Sequence, residues 1–225
     1  RKDDSVSRTA VVIPNYNGIN YIADCLNSLK GQSNTDFDVI VVDNHSTDGS
    51  KDEILCNFSW VKYVQRIENG GFSVAVNDGI RLAKECGAEF VILLNNDTVV
   101  DSEFVERLVS AIEADRNCFS VQAKMLSMGD KNVIDDAGDF YTVLGWAYAR
   151  GKGKCAAKYN KESKIFASCA GAAIYRTDIF DEIGYFDEEH FAYLEDIDIG
   201  YRGNLYGYYN KYFHETGIFL DTEPY

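Results

Sequence analysis

The sequence predicts an α/β fold whose mostly parallel central sheet is flanked by helices. Near-continuous Val/Ile/Leu runs recur at TAVVIP (9–14), FDVIVVD (37–43) and EFVILL (89–94). Strands of that kind are buried on both faces, as in parallel sheets covered by helices. The segments between the runs place apolar residues at helical spacing. Each run also ends directly in a polar cluster, and open parallel sheets bind ligands at the carboxyl ends of their strands.

The first strand, Thr9–Pro14, leads into a helix over Gly18–Gly31, with Ile19, Ile22, Ala23, Leu26 and Leu29 on one face. Phe37–Asp43 is the second strand, and a short helix runs from the Ser46–Ser50 turn toward Cys56. Val61–Ile67 alternates as a third strand, and Ser73–Cys86 carries Val76, Ile80 and Ala83 along a helix. Glu89–Leu94 is the fourth strand. Asp101 is placed to cap the next helix, which carries Phe104, Val105, Leu108, Val109 and Ile112. Phe119–Lys124 is the fifth strand. Residues 125–164 lose periodicity and read either as a hairpin excursion or as a mobile lid, with the Gly-rich 129–153 segment the part that would close over the donor. Ala170–Tyr175 then reads as a strand and Phe191–Leu205 as a helix. With 225 residues the chain holds one sizeable core, expected to be a single domain over 1–225.

Composition narrows the function. The net charge of −14 repels polyphosphate backbones, so no nucleic-acid partner is expected. An anionic nucleotide would need local positive charge, which a bound cation supplies. No run of eighteen apolar residues occurs, and Arg1–Arg8 lacks the apolar stretch of a secretory signal. The six cysteines form no C-x-x-C pair, so free thiols in a reducing, cytoplasmic setting are expected and zinc is not.

Three strand ends gather polar residues: Pro14-Asn15-Tyr16-Asn17-Gly18, Asp43-Asn44-His45-Ser46-Thr47-Asp48-Gly49 and Asn95-Asn96-Asp97-Thr98. Asp97 reads either as a turn residue or as a ligand for Mg²⁺ or Mn²⁺, which prefer hard oxygens. Asp43 either caps a turn or accepts hydrogen bonds from a ribose or base. Tyr16 is either a surface aromatic or a stacking platform. Asn69-Gly70-Gly71-Phe72-Ser73, ahead of a helix, has the composition of a phosphate-cradling loop but matches no established glycine fingerprint. Asp198 and Arg202 are four apart and can pair on a helix. Glu195 and Asp196 lie about 100° apart around such a helix, so only one can face a given direction.

Taken together, VVIPNYNG (11–18), VIVVDNHSTDGS (39–50), ENGGFSVAVNDGI (68–80), VILLNNDTVVD (91–101), CAGAAIYRTDIFDEIGYFDEEHF (169–191) and YLEDIDIGYR (193–202) resemble the family 2 glycosyltransferases of the GT-A fold, in particular their rhamnosyltransferase-like branch. The resemblance implies a Rossmann-like nucleotide-sugar-binding half over 8–125 and an acceptor-binding half over 126–225, incomplete at its C-terminus. It implies that Pro14 and Tyr16 border the nucleobase and that Asp43 hydrogen-bonds it. Asn17, Asn44, Asn69, Gly71, Asn77 and Asn96 would shape the donor pocket. Asp97 would bind a divalent metal, with His214 as the only downstream histidine candidate. Asn95 stands where many members carry aspartate. Gly171, Asp187 and Glu195 would line the acceptor side, and Asp196 matches the catalytic base.

The implied activity is inverting, metal-dependent transfer from a nucleotide-diphosphate sugar to a saccharide or lipid-linked saccharide in cell-surface polysaccharide synthesis. It would take place at the inner face of a membrane, with peripheral association. Two other classes stay open. A sugar nucleotidyltransferase usually has a basic Gly-rich loop after the first strand, whereas here no Arg or Lys occurs between that strand and Lys30. A non-catalytic nucleotide-sugar- or glycan-binding module would not need both Asp97 and Asp196.

Overall fold

A computed structural model describes residues 7–220. Most of the polar N-terminal stretch, and the C-terminal end where the resemblance leaves the acceptor half incomplete, lie outside the described residues.

The chain opens with β1 (Thr9–Asn15), α1 (Ile22–Lys30), β2 (Asp38–Asp43), α2 (Ser50–Asn57), β3 (Lys62–Gln65), α3 (Gly71–Glu85) and β4 (Phe90–Leu94). It continues through β5 (Thr98–Val100), α4 (Phe104–Glu113), β6 (Cys118–Ser127), β7 (Ile134–Asp136), β8 (Asp139–Tyr141), β9 (Ala147–Ala149) and β10 (Ser163–Ile165). It ends with β11 (Ala172–Arg176), α5 (Ile179–Ile183), α6 (Glu195–Leu205) and β12 (Tyr209–Leu220). The main sheet has the order β10-β12-β6-β11-β4-β1-β2-β3. The strands β1 to β4, β6 and β12 run one way, and β11, inserted between β4 and β6, runs against them. The expected fifth parallel strand is therefore present as β6, but it is separated from β4 by a return strand.

Both faces of the sheet are covered, which is why its strands read as unbroken apolar runs. Val11 and Ile13 of β1 pack with Leu26, Leu29, Phe104 and Leu108 on one face. Ala10 and Val12 pack with Val76, Ile80 and Ala83 of α3 on the other. Gly79 lets α3 lie close to β1, because a Cβ there would come within 2.2 Å of Val12 Cγ1. One added methyl would push the helix off the sheet.

Three expectations are corrected. Asp101 does not cap α4: its Oδ2 accepts the Gly217 N–H at 2.7 Å, and Gln32 Oε1 takes the Val105 N–H at 3.0 Å instead. The last helix begins at Glu195 rather than Phe191, because Tyr193 and Leu194 adopt φ values of 72° and 68°. Two successive left-handed non-glycine residues cannot continue a right-handed helix. The Gly-rich 129–153 segment is built around the β8–β9 hairpin, and it borders the acceptor side rather than closing over the donor.

All six cysteines are free, as expected. Among the described residues no helix is long and apolar enough to cross a membrane.

Candidate active site

The carboxyl ends of β1, β2 and β4 meet through one buried side chain, Asn15. Its Nδ2 donates to Asp43 Oδ2 at 2.8 Å, Ser46 Oγ at 3.2 Å and Ser50 Oγ at 3.1 Å. Its Oδ1 accepts Asn96 Nδ2 at 2.8 Å. A carboxamide both donates and accepts, so Asn15 can tie three strand ends together where a carboxylate could not. Sequence reading had placed Asn15 in the cluster without giving it a role. Its neighbours, not its own type, define that role.

Asp43 is fully buried and does not face the cleft. Its second oxygen accepts the Ser46 N–H at 2.8 Å, so it stands behind the cleft wall and holds the β2 turn. Asn17 likewise serves the turn: its Oδ1 accepts the Thr47 N–H at 2.9 Å, from a left-handed backbone at φ 51°.

In front of this network lies a cavity of about 310 Å³ lined by Pro14, Tyr16, Asn44, Asn69, Gly71, Asn96 and Asp97, among others. Tyr16 is 53% exposed there, which leaves a ring face free for stacking. In the 69–73 loop two amides are already occupied: Asn69 Oδ1 accepts the Gly71 N–H at 2.9 Å and Phe191 O accepts the Phe72 N–H at 2.7 Å. None of the lining residues is cationic. The oxygens of Asp97, Asn95 and Asn96 suit a cation that takes the rest of its ligands from a diphosphate and water. His214 does not line this cavity; it sits in the irregular stretch of β12 between Tyr212 and Gly217.

A second cavity, of about 440 Å³, adjoins the first through shared walls at Phe72, Asn95 and Ala192. Gly171, Asp139, Glu195 and Asp196 line it. The left-handed turn at Tyr193–Leu194 presents both acids in the first turn of α6, where the helix dipole favours negative charge. Both line this cavity, and they differ in burial. Glu195 is buried, and its Oε2 has no hydrogen-bond partner among the described residues. Asp196 is half-buried and accepts the Ile197 N–H at 2.7 Å. Asp198 pairs with Arg202 at 2.6 Å, the surface role expected of it.

Two further residues assigned to the site also stand outside both cavities. Asn77 is buried and clamps the 186–188 segment, donating to Phe186 O at 2.8 Å and Glu188 Oε1 at 3.0 Å. Asp187 is exposed, and its Oδ1 accepts the Glu189 N–H at 3.0 Å.

The acceptor-side cavity is unusually acidic. Burial, with the Asp136 and Asp196 carboxylates nearby, pushes Asp139 up to about 9, and its carboxyl lies in hydrogen-bond reach of Asp196. Burial pushes Glu195 up to about 7 and raises Asp196 too. Asp136 is pushed to about 6 by burial, although Gln122 and the Gly138 N–H bond to it. Sequence reading missed Asp136 and Asp139, which sit in an aperiodic segment far from any motif. Asp136, Asp139 and Cys169 bring their ligand atoms within 4.8 Å of one another. Burial holds the Cys169 thiol well above its ordinary value.

Gly71 lines the first cavity beside Phe191. It adopts φ 84°, and a Cβ there would fall 2.3 Å from Phe191 O. Gly71→Ala is therefore expected to lower stability by about 1–3 kcal/mol and to weaken nucleotide-sugar binding, because the 191–192 wall must move. Thermal melts and donor titration on the same variant check both effects.

A mostly parallel sheet, with a polar cavity at its strand ends and an acidic one beside it, is the architecture of GT-A enzymes. Residues 10–184 match the family model "Glycosyl transferase family 2", and the chain belongs to that family. A Mycobacterium tuberculosis N-acetylglucosaminyl-diphospho-decaprenol L-rhamnosyltransferase is 23% identical over 90% of this chain and 72% of its own length. The poly(ribitol-phosphate) beta-glucosyltransferase of Bacillus spizizenii is 32% identical over 44% of this chain and 16% of its own. The Streptococcus pneumoniae glycosyltransferase GlyG is 28% identical over 46% of this chain and 35% of its own. The matches to the last two thus span well under half of those relatives. Among solved structures, S. aureus TarS residues 1–349 in complex with UDP-GlcNAc aligns with TM-score 0.70 and 21% identity over 97% of this chain and 59% of that one. GalNAc-T7 with UDP, GalNAc and Mn2+ aligns with TM-score 0.78 and 16% identity, over 97% and 44%. At these identities the likeness is one of fold.

Proposed function

We propose that this chain transfers a sugar from a nucleotide-diphosphate donor to a hydroxyl of a saccharide or lipid-linked saccharide, with inversion at the anomeric carbon. The observation that carries this reading is the pair of joined cavities, one faced by Asp97 and the other by Asp196. The 8–125 half supplies most of the donor wall, and Gly171, Glu195 and Asp196 supply the acceptor wall. The donor belongs to the same chemical class as the UDP-GlcNAc bound by TarS. The acceptor class follows that of the decaprenol-linked rhamnosyltransferase, which also motivates a peripheral site at the cytoplasmic membrane face.

In this mechanism Asp196 accepts the proton of the acceptor hydroxyl as its oxygen attacks the anomeric carbon. The bond from that carbon to the diphosphate oxygen breaks, and its electron pair leaves with the nucleoside diphosphate. Tyr16 stacks on the base, Asn44 and Asn69 orient the nucleoside, and Phe72 and Ala192 limit water at the junction of the cavities. Asp97, with Asn95 and Asn96, would hold a divalent cation, which when bound offsets charge on the diphosphate.

Asp97→Ala is expected to abolish metal-dependent donor binding. Calorimetry with a panel of nucleotide sugars, with Mn²⁺ and with EDTA, tests this, and undiminished Mn²⁺-dependent affinity in the variant would remove Asp97 from the site. Release of nucleoside diphosphate that depends on added acceptor separates a transferase from a binding module. Release of pyrophosphate from a nucleoside triphosphate and a sugar phosphate would instead favour the nucleotidyltransferase reading.

A further inference from the structure

Beyond the catalytic cavity lies a third hollow, of about 560 Å³, which the proposed chemistry does not use. Its floor is a row of aromatic rings. Tyr141 stacks on Phe166 with centroids 5.5 Å apart and planes 30° from parallel. Phe166 stacks on Tyr201 at 6.0 Å and 20°. Trp146, at 72% exposure, rises from the β8–β9 hairpin at the side. His190 and Asp198 supply the polar rim. Large apolar groups exposed together in one concave patch mark a binding surface.

The hollow is continuous with the catalytic cavity. Ala147, Leu194 and Ile197 line both. A chain whose end lies at Asp196 would run outward across the aromatic row. We propose that this trough is an extended acceptor subsite that binds a neutral oligosaccharide, with its sugar rings packing against the exposed rings of Tyr141, Trp146 and Tyr201. The proposal rests on the transfer reading, since it takes Asp196 as the origin of the bound chain.

The occupant follows from chemistry on the page. A pyranose has an apolar C–H face and a polar edge, which match ring faces bordered by hydroxyls, an indole N–H and an imidazole. A lipid phosphate is poorly matched. No Lys or Arg lines the trough, so it offers an anionic headgroup no countercharge. The rigid aromatic side chains also lose little entropy when they are covered.

The chain has two tryptophans, so Trp60→Phe leaves Trp146 as the sole indole reporter. In that background, Trp146 emission is titrated with neutral tetrasaccharides of gluco, N-acetylglucosamine and rhamno configuration, with the matching disaccharides, and with farnesyl phosphate. At least one tetrasaccharide is expected to shift the emission at millimolar concentration or below, bind more tightly than its disaccharide, and lose about tenfold in affinity in Tyr201→Ala. Three results would each overturn the proposal: no response to any saccharide, a response undiminished by Tyr201→Ala and Tyr141→Ala, or a response to farnesyl phosphate alone. Donor binding is measured separately by calorimetry with nucleotide sugars. Saccharide binding without donor binding would sink the transfer reading and leave a glycan-binding surface. Donor binding without saccharide binding would sink the trough.

Discussion

Asp196→Asn is expected to leave nucleotide-sugar affinity nearly unchanged and to reduce turnover by at least about a hundredfold. The substitution keeps the size of the side chain and its ability to accept the Ile197 N–H bond, so α6 starts as before. What it removes is the basic carboxylate, since an amide oxygen accepts a hydrogen bond but cannot hold the acceptor proton. A positioned general base contributes roughly 10²–10⁴-fold, and that is the scale of the loss. Steady-state kinetics with donor calorimetry separate the two effects, and near-normal transfer by the variant would take Asp196 out of the mechanism. The wild-type pH profile gives an independent check. Burial raises Asp196, and Glu195 beside it is pushed up to about 7. The base must be ionised to work, so the acidic limb of the activity profile should lie above that of an ordinary aspartate, about 4. A profile already flat from pH 5 upward would contradict this assignment.

The donor side was legible in the sequence because parallel-sheet physics makes it so. Buried strands are apolar throughout, and their ends must turn polar where the sheet stops. VVIPNYNG and VILLNNDT therefore announce both a strand and a ligand wall. What those motifs did not show is which polar groups face outward. Asp43 and Asn77 were expected in the pocket, yet both are consumed by internal hydrogen bonds, Asp43 to Asn15 and Ser46 and Asn77 to the 186–188 segment. A side chain of the right type at a strand end serves equally well as a ligand contact or as the tie holding the turn, and only the neighbouring backbone decides. The acceptor side was harder still. Asp139 and the aromatic row come from a segment with no periodicity, and they meet α6 only through tertiary folding. The Glu195-Asp196 pair was readable because its chemistry sits in one local motif, while the groups that set its proton affinity are more than fifty residues away in the chain.

Asp139 yields the second large effect, and its stability and activity should move in different directions. Its carboxyl is buried and held protonated up to about 9 by desolvation and by the Asp136 and Asp196 charges. In the unfolded chain it ionises near about 4. Between those values the folded state keeps a proton that the unfolded chain releases, so stability from this group is full below about pH 4 and declines as pH rises toward about 9. Asp139→Asn removes that slope. The variant should match wild type at low pH and exceed it by more than about 2 kcal/mol at pH 7, at ~1.4 kcal/mol per pH unit of proton retention. Chemical denaturation at several pH values reads the difference directly, and equal stability of the two proteins across that range would mean that Asp139 is ionised in the fold. Activity tests the contact with Asp196. The Asn side chain still offers an N–H donor to the Asp196 carboxylate, so turnover should stay within about tenfold. Asp139→Leu removes the donor and leaves the base less stabilised as an anion. The acidic limb of its rate profile should therefore move to higher pH, while Asn holds it in place.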